Sequence, residues 1–596
     1  MWRKLKSLTG QWVALTRRPR DAQGFIDRGN LWCDKQDYRR AFADYSDAIQ
    51  LDPNSAEGFA CRARAALCNA EFDQAISDCD EVARLDPENV DVYLHRGAAW
   101  ASKKEFGKAL ADFDEAIRRK PSFVAVFLGR GDVWCDSKEY DKAIADYTEA
   151  LRLEPSCAEG LWCRGSAWYA KDEFDKAIAD FDEALRLAPQ QSDLYLRRGG
   201  AWYSKKEFHK ALADFEVAAR IDPYSAAAYH GLGISQAALN EPDLALEEYS
   251  EAIRLEPDFA DAFHSRGTTW FDKDEYPSAI ADYSEAIRLD LVDPTTYMCR
   301  GQAYCAAGDI EKGMADFDES LRLDPAHCAT FLARGTAWYE QEEYDRALAD
   351  YDQALRLQPD SADGFFGRGA AWFAKQEYHQ AIAAYSEAIR CCPDNLVTYI
   401  RRGDAWNALD QYDKALADFN EVIHRAPNSQ YAEALLRRVD VWLAQKDYDR
   451  AIADCDKALQ LIPQEPTALL DRSWSWFKKR EYEAAIADIQ SVLEFFGEEA
   501  DQAQAHAQWA ILLATSPDPK YRDGKKAVDH ALLANSFSSN EHLEAVAAAY
   551  AEVGDFGLAV EFQSKANAQF SSPEAIRSGA ERLQGYQEKR PYRDEG

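Results

Sequence analysis

The residues of this chain that could do chemistry recur along it rather than cluster. His230, His264 and Met298 stand 34 residues apart, and Cys305 follows the last of them. Imidazole and thioether are soft ligands, so a metal ion is the first chemistry to weigh. If the three occupy the same place on successive helices they lie roughly 8–10 Å apart, too far to share an ion, and no metal site is expected. The 13 cysteines are odd in number and form no CxxC pair, which fits reduced thiols in a cytoplasm. No Gly-rich phosphate loop, HExxH or GxSxG is present, and no nucleophile–base constellation stands out. No catalytic residue and no cofactor are expected.

The elements that carry these residues are legible in Ala158 to Pro189, AEGLWCRGSAWYAKDEFDKAIADFDEALRLAP. Apolar residues recur at i, i+3, i+4 and i+7 on both sides of a polar break at Lys171, Asp172 and Glu173, the pattern of two amphipathic helices joined by a short turn. Gly165 in the first helix costs about 1 kcal/mol against alanine, so some close approach must need it. Ala177 in the second helix is the expected partner, with Trp168 and Phe181 filling the space around the contact. Ala184 lies on the same inner face, and Pro189 ends the hairpin. The pattern returns every 34 residues, at Pro53, Pro87, Pro121, Pro155, Pro189, Pro223 and Pro257, then with Leu291 in the proline place, then at Pro325, Pro359, Pro393 and Pro427. A two-residue insertion near Gln430 shifts the next to Pro463, and Gly497 holds the last place, giving fourteen regular repeats over 22–497.

The spacing of Gly165, Trp168, Ala177, Phe181, Ala184 and Pro189 resembles the tetratricopeptide repeat, a 34-residue helix–turn–helix unit, in its multi-repeat bacterial form. The resemblance implies an all-α fold, a right-handed superhelical solenoid whose concave groove is lined by positions 2, 5, 9, 12 and 13 of each first helix. Carried onto this chain, position 5 gives Trp162 and Phe366. Position 12 gives Tyr169, Tyr203, Phe271, Tyr339 and Phe373, and position 2 gives Glu159, Asp193, Asp261 and Asp363. Aromatic and acidic groups side by side suit a peptide with apolar anchors and basic flanks. Two specialised family readings fail on their residues. The Lys and Asn clamp for a C-terminal EEVD is missing, because Asn30 is paired with Ile26, and an asparagine ladder is missing at Asp27, Cys61, His95, Gly129 and Cys163.

Two further ladders read as structural. Tryptophan recurs at position 11, from Trp32 to Trp476, and constant helical spacing beside the glycine predicts a core position. Arginine at position 7 faces aspartate at position 23, as in Arg130 with Asp146, Arg164 with Asp180 and Arg334 with Asp350. Repeat seven has Leu232 and Glu248 at these places, and repeat eleven has Arg368 with Ala384.

Repeats stack into one elongated body in which neighbours complete each other's cores, so length here counts repeats rather than globular domains. The 104 acidic against 70 basic residues, a net charge of −34, disfavour nucleic acid as a partner. No apolar run approaches the roughly 20 residues that span a bilayer. Residues 1–21 form a basic leader or cap; MWRKLKSLTGQWVALTRRPR has six basic residues, no acid, and Trp2, Leu5, Leu8, Trp12 and Leu15 on one side if helical. Residues 498–573 read as two degenerate hairpins that cap the array, and 574–596 as a polar tail. Departures in repeats seven and nine, among them Gln236, Pro242, Tyr304 and Gly313, predict a softer stretch over 226–325. The expectation is a non-enzymatic cytoplasmic scaffold that binds proteins or peptides along its groove. The alternative is a peripheral membrane adaptor docked through residues 1–20. The sequence leaves the oligomeric state open.

Overall fold

The computed structural model describes residues 19–289, 292–425, 429–495, 498–537, 542–570 and 573–594. The basic leader up to residue 18, and Leu291, Pro427 and Gly497 in the proline places, lie outside the described residues. Among the described residues there are 33 α-helices, one 3₁₀ turn at Pro519–Tyr521 and no strand, an all-α repeat solenoid. The chain divides into two compact units, 1–292 and 293–596. The first runs from α1 (Ala22–Cys33) to α16 (Tyr276–Arg288), the second from α17 (Pro294–Ala306) to α33 (Pro573–Gln587). The division falls inside the stretch 226–325.

The repeat of Ala158 to Pro189 folds as α9 (Ala158–Tyr169) and α10 (Phe174–Leu187). The turn closes when the Glu173 amide donates to the Trp168 carbonyl (3.0 Å), with Asp172 at φ 60°. The same turn position is left-handed in every repeat, and only Gly308 among them is glycine. The prolines sit just past the second helix, which ends here at Leu187.

Glycine at position 8 answers to an aromatic ring rather than to the small residue of the second helix. A Cβ built on Gly165 would lie 2.7 Å from Cε1 of Phe181, and Ala177 is not among its near neighbours. Eleven repeats repeat this fit, with 2.5–3.1 Å between the virtual Cβ and the position-24 ring, from Gly29 on Tyr45 to Gly403 on Phe419. The other three repeats show the converse. Where position 8 is Ala63, Val439 or Ser473, position 24 is Cys79, Cys455 or Ile489, which bring less bulk to the same place. In repeat nine, expected to be weakened by Gly313, the two backbones themselves approach, since a Cβ on Gly313 would meet the Gly301 carbonyl at 2.8 Å.

The tryptophan ladder is not deep core. Trp442 is buried, but the others are half-buried, because a cation from the second helix covers the outer face of most of them. Lys176 lies 4.4 Å over Trp168, Lys108 4.3 Å over Trp100 and Arg346 4.7 Å over Trp338. The fully buried positions are Ala177, Phe181 and Ala184 and their equivalents.

The arginine–aspartate ladder is buried and spans repeats. Asp180 accepts from Arg164 Nε (2.8 Å) and Nη2 (2.7 Å) while only 7% exposed. Twelve of the fourteen repeats make this pair. The remaining Nη1 reaches the second helix of the preceding repeat, as from Arg96 to Asp80 (2.6 Å), Arg198 to Asp182 (2.5 Å) and Arg472 to Asp456 (2.6 Å). In ten of the twelve pairs the guanidinium therefore ties three helices. In repeat seven Leu232 is buried in the arginine's place, and the half-buried Glu248 is held above its ordinary pKa by burial and by Glu247 and Glu251. In repeat eleven Arg368 keeps only the backward contact, to Asp352 at 3.2 Å.

Beyond residue 498 the chain forms α29 (Glu499–Thr515), α30 (Gly524–Phe537), α31 (Leu543–Glu552) and α32 (Phe556–Asn567). Residues 574–596 were expected to form a polar tail, and the structure corrects this. Residues 573–587 form α33, which seats Tyr586 at 1% exposure in a cluster with Ala547, Ala551 and Ala559.

The glycine–ring fit predicts a rescue. Gly131→Val places methyls against Tyr147, whose Cε1 is 2.5 Å from the virtual Cβ, and should destabilise repeat four by about 1–3 kcal/mol through overpacking. Tyr147→Cys alone leaves a cavity, with a comparable or larger loss. The double variant reproduces the Val439 and Cys455 combination of repeat thirteen, so denaturation in urea should show a favourable coupling of about 1–3 kcal/mol. Additive losses would contradict the fit.

Candidate functional site

In the first unit α9, α11 (Ser192–Ser204) and α13 (Ala226–Ala238) are the first helices of three consecutive repeats. Their like-numbered positions line up because each repeat seats its first helix on the same ring, Phe181, Phe215 or Tyr249, and the first two add the same guanidinium, Arg164 or Arg198. Two adjoining hollows open on this face, of about 500 Å³ and about 600 Å³, and share Trp162 and Asp193. The first also holds Glu159, Gln191 and Asp222, and the second Arg197, Phe215, His230 and Ile234. Trp162 is 37% exposed, a large apolar surface left open among carboxylates. An indole with three acids around it can seat an apolar side chain and pair with cations on either flank.

His230 in the second hollow does not stand as a metal ligand. Its Nε2 lies 3.0 Å from Ser265 Oγ, its ring packs edge-on to Phe259 at 5.1 Å, and burial lowers its pKa. His264 rests on Tyr283 at 5.4 Å, and Met298, in the second unit, packs with Phe317 and Cys305. Among the described residues no three His, Cys, Asp or Glu side chains are placed to hold a metal ion.

Of the groove residues expected from sequence, Glu159, Trp162 and Asp193 are brought together and the rest are not. The position-12 aromatics close their own hairpin turns, each against the first aromatic of the following helix. These pairs are Tyr169 on Phe174 (5.5 Å), Tyr203 on Phe208 (5.4 Å), Phe271 on Tyr276 (5.6 Å), Tyr339 on Tyr344 (5.6 Å) and Phe373 on Tyr378 (5.3 Å). Phe366 packs on Tyr385 at 5.8 Å, and Asp261 and Asp363 are exposed outside these hollows. Arg197 and Asp222 were missed; neither breaks the period, so nothing in the pattern marked them.

A second polar surface lies in the other unit, at Asp404, Asp440 and Asp471 with Arg401 and Arg437. Arg401 and Arg437 approach Asp404 at 3.6 Å and 3.8 Å. Burial nonetheless pushes Asp404 up to about 6, against the pull of Arg437 and Arg401. Burial, with Asp440 adding to it, pushes Asp471 up to about 7, and its buried Oδ2 has no hydrogen-bond partner.

Residues 62–122, 135–192, 171–226, 230–294, 332–395 and 401–466, together more than half of the chain, match the tetratricopeptide repeat family. Among solved structures the chain is similar to yeast Tom70, at 16% identity over 71% of this chain and 96% of that one, with a TM-score of 0.39. It is similar to the APC/C hetero-tetramer Cut9–Hcn1, at 16% identity over 78% and 98%, with a TM-score of 0.41. It is also similar to YrrB, described as a TPR protein with an unusual peptide-binding site, at 22% identity over 32% and 97%, with a TM-score of 0.28. No curated protein matches the chain in sequence.

The raised carboxyl of Asp471 sets a pH dependence. Its folded pKa, about 7, lies above the ordinary value of 3.8, so the neutral acid favours the folded state. That contribution is complete below the ordinary value and is lost as pH rises through about 7. Amide exchange protection of α27 (Pro466–Lys478) should therefore fall between about pH 4 and pH 7 after correction for intrinsic exchange, and Asp471→Asn should flatten the fall. An unchanged slope in the variant would contradict this assignment.

Proposed function

The chain belongs to the tetratricopeptide repeat family, and from that premise we propose that it is a non-enzymatic scaffold which binds a peptide segment of a partner protein across α9, α11 and α13. The observation that carries this reading is the indole of Trp162, shared by two adjoining hollows and flanked by Glu159, Asp193 and Asp222. The partner segment carries an apolar anchor that covers Trp162, with lysine or arginine on its flanks to meet the three carboxylates. A net charge of −34 adds long-range attraction for basic segments and raises their association rate at low salt.

The site is one subsite of a larger binding surface, since a repeat array offers its first-helix positions again and again to a long partner. All 13 cysteines are free thiols, which supports placing the protein in the cytoplasm. Among the described residues no helix is long and apolar enough to cross a membrane.

Selection from a random peptide library on the intact protein tests this directly. The selected peptides should combine a large apolar residue with basic neighbours. Trp162→Ala should weaken their binding by about 2 kcal/mol or more, near thirtyfold, and Asp193→Ala should weaken chiefly the basic ones. Tyr169→Ala with Tyr203→Ala should leave affinity within about twofold, because those rings close turns. Loss in the tyrosine pair with none in Trp162→Ala would move the site to the turn side of the array.

A further inference from the structure

The second unit already holds an extended segment against its first helices. After α33 the chain turns at Lys589, at φ 59°, and residues 592–594 run back across α27, α29 and α31. The Asp594 carboxylate accepts from Lys478 Nζ at 2.6 Å and 2.8 Å, and the Asp594 amide donates to the Thr515 carbonyl at 3.0 Å. Arg593 donates to the Ala514 carbonyl at 3.1 Å and pairs with Glu552 at 2.7 Å. Tyr592 packs beside Tyr586, with the Arg582 guanidinium 5.7 Å from its ring centroid.

These partners are a recurring place, not a random patch. Lys478 and Glu552 hold the same position of their repeats, counting from Ser473 and Ala547 at the glycine place. Ala514 and Thr515 close α29, so the guanidinium of Arg593 meets the carbonyl end of a helix, where positive charge is favoured. A hollow of about 240 Å³ remains beside the segment, lined by Trp474, Ile511, Glu544 and Arg582 among others.

We propose that Tyr592–Asp594 is an intramolecular ligand occupying a peptide-docking surface formed by the ends of α27, α29 and α31, and that a partner peptide presenting an aromatic residue followed by arginine and an acid displaces it. The segment is held chiefly by one ring, two ion pairs and hydrogen bonds to the Ala514 and Thr515 carbonyls, a set that opens far more easily than α33 with its buried Tyr586. A partner competes with a tethered ligand present at high effective concentration, so it binds weakly until the segment is released. This surface lies in the other unit from Trp162, so its failure and the failure of the Trp162 reading are separable.

The test uses the full chain and a fluorescent synthetic peptide of residues 588–594, Glu-Lys-Arg-Pro-Tyr-Arg-Asp, followed by anisotropy. Weakening the tethered copy with Arg593→Ala and Asp594→Ala should raise affinity for the free peptide about tenfold or more over the unaltered chain. Adding Lys478→Glu should abolish that gain, and a peptide with lysine in the place of aspartate should restore it. Equal binding to the unaltered and weakened chains, or to neither, overturns the proposal. Loss of exchange protection throughout α29–α33 in the weakened chain also overturns it, since the segment would then be a structural brace. The single Asp594→Asn variant, which keeps the shape of the side chain, should give a smaller gain of the same sign and no loss of protection.

Discussion

An aromatic ring pressed against a backbone with no side chain is the contact on which the rest of this structure depends. At 2.5–3.1 Å from a virtual Cβ, the ring leaves no room for any other residue at position 8 without a shift. It thereby fixes how near the two helices of a hairpin lie and where the first helix points. The three repeats without the glycine keep the fit by shrinking the residue at position 24. Where the following repeat also has glycine at position 6, as at Gly231 against Phe215 and Gly367 against Tyr351, the same ring sets the next repeat as well.

The guanidinium clamp acts one layer further out. Holding both oxygens of a buried aspartate and, in most repeats, an acceptor on the preceding one, the arginine gives orientation as well as attraction, and removing one member of such a buried pair costs about 3–5 kcal/mol. Ring and clamp together explain why first-helix positions stay in line along each unit, which a binding face requires. Repeat seven keeps the ring, in Tyr249 on Gly233, but has lost the clamp to Leu232 and Glu248, and it borders the larger of the two hollows on the Trp162 face.

The hairpins, their turns and their boundaries were legible in the sequence because a 34-residue period repeats the same local signals many times. The partner of Gly165 was not, since Ala177 and Phe181 stand on the same face of α10 and only the helix crossing decides between them. The tryptophans misled for a related reason. Constant spacing shows that a side chain is in a fixed environment, but whether that environment is core or a cation-covered flank depends on Lys176 and its equivalents. At the site, Trp162, Glu159 and Asp193 could be found from their repeat positions. Tyr169 and Tyr203 shared that reasoning, but each packs on the first ring of the next helix, Phe174 at 5.5 Å and Phe208 at 5.4 Å. The return of residues 592–594 to Lys478 joins residues 116 apart, and no periodic signal carries so distant a contact.

The central claim is that recognition occurs on the first-helix face rather than at the turns. Hydrogen–deuterium exchange of the intact chain, with and without a saturating selected peptide, tests it most directly. The account predicts slower exchange concentrated in α9, α11 and α13 around Trp162 and His230, with the turns after Tyr169 and Tyr203 unchanged. Protection centred on those turns, or on the second helices of the same repeats, would contradict it.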